Sequence, residues 1–94
     1  MFVAAVTIEL LTPHDPTFMQ ALLMNAAASR LEPGCRRFDV SVADDGASVL
    51  LYEVYADRGA FQTHRATAHF ADYDRITRPL IRNKDVKTYT LHSA

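Results

Sequence analysis

Glu53 sits inside the run Leu50-Leu51-Tyr52-Glu53-Val54-Tyr55, in which every other side chain is apolar or aromatic. A carboxylate in such surroundings loses water, and that favours its protonated form. It is therefore expected either to exchange a proton near neutral pH or to pair with a cation. Arg37, on a neighbouring hairpin strand, is the natural partner for the structural alternative. His64 and His69 follow within a short polar stretch, and imidazole is the side chain that changes charge near neutral pH. Both are candidates for proton transfer, with a capping or surface role as the plainer alternative. On one continuous helix a spacing of five rotates them about 140° apart, so they are not expected to converge on a metal. The intervening Arg65-Ala66-Thr67-Ala68 is also expected to break the helix. Asn25 interrupts the run "ALLMNAAAS". Solvent exposure is its simple explanation, and an amide directed into a pocket is the functional one.

The rest of the inventory narrows the chemistry. Cys35 is the only cysteine, which excludes an intrachain disulfide and a multi-cysteine metal site. There is no HExxH pattern, no glycine-rich phosphate loop and no flavin or nicotinamide fingerprint, so neither a metal nor an organic cofactor is expected. Ten basic and 11 acidic side chains give a net charge of −1. The densest basic cluster, Arg75, Arg78, Arg82 and Lys84, is broken by Asp74 and Asp85, too weak a stripe for nucleic acid. The opening "MFVAAVTIELL" lacks a basic leader and runs out at Pro13, far short of a membrane span. A cytoplasmic protein without membrane or nucleic-acid partners is expected.

These residues need elements to hold them. With 94 residues, one domain over 1–94 is predicted, small enough to gain from association with a second copy. Residues 2–11 form a first strand ended by "TPHDP". Asp15 and Pro16 mark a helix start, and Phe18, Leu22 and Ala26 give the helix through Leu31 one apolar face. "EPG" at 32–34 ends it. Cys35–Ala43 alternates, with Phe38, Val40 and Val42 on one side and Arg37, Asp39 and Ser41 on the other. "DDG" at 44–46 turns the chain into Ser48–Ala56, completing a hairpin. Asp57 caps a short helix through about His64, and Thr67 caps another reaching Leu80, with Pro79 weakening its last turn. Val86–Leu91 alternates as a closing strand. The order β-α-β-β-α-α-β predicts an α+β domain of the ferredoxin-like, split βαβ kind, an antiparallel sheet with helices on one face. The strand bearing Glu53 is apolar on both sides, so the open face calls for a cover, and a second subunit is the simplest one.

The segments "EPGCRRFDVSV" and "LLYEVYADRGAFQTHRATAHF" resemble the antibiotic biosynthesis monooxygenase superfamily, within it the quinol monooxygenase and autoinducer-2-processing branch. The resemblance runs from the first strand to the final helix. It implies a homodimeric α+β barrel with a pocket between sheet and helices. Members include oxygenases that oxidise phenols or quinols with dioxygen and no cofactor, isomerases of a small phosphorylated ketone, and haem-degrading enzymes. Their site residues carry over as Asn25, Phe38 with Asp39, Glu53 and His64. On that footing Glu53, His64 and Asn25 are expected to be catalytic, and Arg37, Asp39, Tyr55 and His69 to contact substrate. Arg37 or Arg65 would hold a phosphate in the isomerase alternative. A third alternative is a non-catalytic dimeric ligand-binding module. Two departures stand out: the chain has no tryptophan, which argues against haem degradation, and a "TPH" common in the family reads Thr67-Ala68-His69.

Overall fold

The computed structural model describes residues 1–94. Its elements are β1 (Phe2–Leu10), α1 (Pro16–Arg30), β2 (Cys35–Val42), β3 (Ser48–Tyr55), α2 (Arg58–Arg65), α3 (Ala68–Thr77), a 3₁₀ turn (Arg78–Leu80) and β4 (Ile81–Thr90). The four strands form one sheet in the order β2-β3-β1-β4, every pairing antiparallel. This is the ferredoxin-like arrangement expected.

Local chemistry fixes the helix starts. The Asp15 carboxylate accepts from the amides of Thr17 and Phe18 at 2.9 and 3.3 Å, and Pro16 follows at the first helical position. Asp57 accepts from the Ala60 amide, and Thr67 from that of Phe70, so both later helices also begin on a side-chain cap. The hairpin turn requires glycine at Gly46. Its φ is +73°, and a Cβ there would stand 2.3 Å from the His14 ring.

Two boundaries differ from expectation. The last helix stops at Thr77 rather than Leu80, because Pro79 has no N–H with which to continue the ladder, and the chain tightens into the 3₁₀ turn. The final strand begins at Ile81 rather than near Val86, extending through the polar "RNKD" segment. That segment is almost wholly exposed at the sheet edge, where charged side chains are tolerated and blunt further pairing. Apolar alternation does not reveal such a strand.

The inner face of the sheet carries the core. Phe18, Leu22 and Ala26 of α1 pack on Val6, Ile8, Leu10, Phe38, Val49 and Leu51, joined by Tyr73 of α3. A smaller cluster of Phe2, Ala4 and Tyr55 packs under Phe61 of α2. Glu53 lies between the two clusters, with Ala4 opposite it on β1 and Phe38 opposite it on β2. No helix covers the other face, where Leu50 and Tyr89 stand 43% and 47% exposed.

Candidate active site

Glu53 occupies an inward position of β3 because Leu51 and Tyr55, two residues either side, face the core. Alternation then leaves it no other direction. It is buried, at 4% exposure. The Tyr55 hydroxyl donates to Glu53 Oε1 at 2.5 Å. Burial is the main cause that raises the carboxyl pKa from an ordinary 4.5 to about 7; the Tyr55 bond and the charge of Lys84 work against it, and Glu32 adds to it.

The last turn of α2 delivers His64 above Glu53. His64 Nε2 stands 3.9 Å from Glu53 Oε1, and the ring is buried among Phe38, Tyr55, Phe61 and Phe70, with centroid distances of 5.3–6.4 Å. Burial lowers the pKa of His64, while its bond to Glu32 opposes that effect. The pair is thus a carboxyl pushed towards neutrality beside an imidazole pushed the same way, both by loss of water.

A cavity of about 320 Å³ opens against this pair, bounded by Asn25, Phe61, Phe70 and Tyr73. Asn25 is buried rather than exposed. Its Oδ1, like the Tyr73 hydroxyl, has no hydrogen-bond partner. Buried polar atoms are rarely left unpaired, and both residues line the cavity. At the rim stand Arg65, Arg78 and Lys84. Arg78 pairs with Asp74, whereas Arg65 and Lys84 lie over aromatic rings. Lys84 is exposed as a whole, but its ammonium lies over the Phe70 and Tyr73 rings and loses water there, which lowers its pKa.

The residues singled out in the sequence divide into three groups. Asn25, Glu53 and His64 meet at the cavity, with Tyr55 directly behind Glu53. His69 stands one step away, and here the geometry corrects the expectation that the two histidines stay apart. His64 Nδ1 and His69 Nε2 both reach Glu32 Oε2, at 2.9 and 2.6 Å. The break between α2 and α3 redirects His69, so the single-helix rotation does not apply. Arg37 and Asp39 are not brought to the cavity. They bind each other at 2.6 Å on an exposed face, and Arg37 lies over the Tyr52 ring rather than against Glu53. Register explains this: Phe38 is the β2 residue opposite Glu53, so its neighbours point to the other side of the sheet. Glu32, Tyr73 and Lys84 escaped the sequence reading. Glu32 looked like part of a helix stop, and only contacts across the chain distinguish it.

Residues 1–75 match the family described as antibiotic biosynthesis monooxygenase. The chain belongs to that family. A Mycobacterium tuberculosis relative, provisionally named a monooxygenase, is 32% identical over 74 residues, covering 72% of this chain and 73% of its own. The solved structure of that protein superposes with a TM-score of 0.88 at 25% identity, over 100% of this chain and 98% of its own. A provisionally named antibiotic biosynthesis monooxygenase from Nitrosomonas europaea gives 0.91 at 29% identity, over 96% and 97% of the two chains. Membership supports a monooxygenase-like protein acting on a small molecule, and no helix is long and apolar enough to cross a membrane.

Proposed function

We propose that this antibiotic biosynthesis monooxygenase family member is a cofactor-independent oxygenase that oxidises a small phenolic or quinol substrate with dioxygen, working as a homodimer. The observation that carries the reading is the buried Glu53 carboxyl, with a pKa raised to about 7, 3.9 Å from an uncharged-leaning His64 on the wall of an aromatic cavity. The cavity lies at the small end of ligand pockets, which suits a one- or two-ring substrate. The Asn25 amide oxygen accepts a substrate hydroxyl, and Glu53 takes its proton with His64 as the next acceptor. The resulting anion is electron-rich and itself supplies the electrons that dioxygen takes up; the protein contributes position and proton transfer. The dimer reading is supported by the uncovered sheet face bearing Leu50 and Tyr89.

The unpaired cations Arg65 and Lys84 at the rim favour a second reading, isomerisation of a small phosphorylated ketone by the same proton-transfer pair. Oxygen uptake over a panel of quinols and phenols separates the two. The oxygenase reading expects uptake that falls about 10²-fold or more in Glu53→Gln and His64→Ala. No uptake across the panel by folded wild type, or undiminished uptake by folded Glu53→Gln, overturns it.

A further inference from the structure

Glu32 has no role in the chemistry described so far, yet it is the point on which two imidazoles converge. It lies just beyond α1, His64 is in the last turn of α2 and His69 in the first turn of α3, so three separate segments place one polar atom each within 4.8 Å of one another. The separations from Glu32 Oε2, 2.9 Å to His64 Nδ1 and 2.6 Å to His69 Nε2, are those of charge-assisted hydrogen bonds. Ligands about 2.0–2.1 Å from a tetrahedral ion would stand roughly 3.3 Å apart, so the spacing favours shared protons over a metal.

A carboxylate oxygen offers only lone pairs, so the nitrogens facing it must donate. For His64 that assigns the proton to Nδ1 and leaves Nε2 as a bare lone pair, 3.9 Å from Glu53 Oε1. We infer that Glu32 is a positioning residue that locks His64 in its Nδ1–H tautomer, so that Nε2 receives the proton Glu53 takes up, while His69 holds Glu32 in place as a second donor. When Nε2 accepts that proton the ring becomes an imidazolium, and Glu32, on its far side, carries the opposite charge. No bond other than N–H and O–H is made or broken. A carboxylate behind a histidine is a general way to fix which ring nitrogen is basic. Side chains are 5% exposed at Glu53 and 2% at His64, against 12% at Glu32 and 27% at His69, so the orienting end lies towards solvent and the accepting end towards the cavity.

The inference rests on His64 being a proton-transfer group, but its test needs no substrate. Imidazole ¹⁵N spectra of the labelled full chain report which ring nitrogen carries hydrogen. Wild type is expected to show His64 protonated at Nδ1 and bare at Nε2, and Glu32→Leu to switch it to Nε2–H, donated to Glu53. A wild-type Nε2–H tautomer, or Nδ1–H retained in folded Glu32→Leu, overturns the assignment. If Glu32→Leu does not fold, Glu32→Gln keeps an acceptor oxygen but loses the charge. The His64 imidazolium must then titrate lower than in wild type, and an unchanged midpoint refutes the inference. His69→Ala moves that midpoint the other way, because the charge of His69 opposes protonation of His64. One equivalent of Zn²⁺ should leave the His64 Nδ1–H signal in place; its loss would make the three residues a metal site and overturn the reading. If oxygen uptake is never found, the tautomer result still stands, so the two failures are distinguishable.

Discussion

Replacing Glu53 by glutamine should make the protein more stable at alkaline pH and nearly unchanged at mildly acidic pH. The folded carboxyl keeps its proton up to about 7, whereas its ordinary value is 4.5. Below 4.5 the group is protonated in both states and costs nothing. Between 4.5 and about 7 the unfolded chain releases the proton and the folded chain holds it, so stability falls as pH rises through that window. Above it the loss is complete. Each pKa unit is worth about 1.4 kcal/mol, which puts the full cost near 3 kcal/mol and the cost at pH 5 below about 1 kcal/mol. Glutamine has no charge to desolvate, and its amide oxygen can still accept the Tyr55 hydroxyl. Urea unfolding of both proteins at pH 5 and pH 8, at one fixed protein concentration, reads the difference. With m near 1–1.5 kcal/mol/M, the variant's midpoint should move up by about 2–3 M at pH 8 and by much less at pH 5. A variant less stable than wild type at pH 8, or a difference independent of pH, would refute the argument and mark Glu53 as a carboxylate stabilised by its neighbours. The predicted gain is also a reason to look for function here, since a costly buried group persists where it is used.

Three further outcomes follow from the same contacts. Asn25→Leu removes a buried oxygen with no partner and should raise folding stability by about 1 kcal/mol in thermal or urea unfolding while weakening ligand binding, because leaving such an atom unpaired is what costs free energy. Asp15→Ala deletes the cap of α1 and should cost about 1 kcal/mol; circular dichroism melts check it, and an unchanged midpoint would show the cap to be idle. Sedimentation at micromolar concentration should give about 21 kDa, two copies of the 10.5 kDa chain, with Leu50→Glu on the open sheet face shifting it to the monomer; a folded wild-type monomer removes the dimer reading.

The local signals were legible because each acts over a few residues. Asp15, Asp57 and Thr67 cap the helices they mark. The alternation around Phe38 set the inner face of β2, and the carboxylate out of place in "LLYEVY" pointed to the cavity before any geometry was known. β4 began earlier than its apolar pattern because an edge strand needs no apolar face along its length. Asn25, a single polar position on a helix, reads by pattern as a surface residue; the family resemblance alone marked it, and docking of α1 buries it. What only the tertiary structure decided depends on which side of the sheet a residue faces and on where a helix break redirects the chain. Pairing register sent Arg37 and Asp39 away from Glu53, although hairpin adjacency and the family resemblance placed them at the site. Glu32 meets His64 and His69 across 32 and 37 residues. A periodicity of two or 3.6 residues carries no information over such a span, so packing of α2 and α3 against the end of α1 had to bring them together.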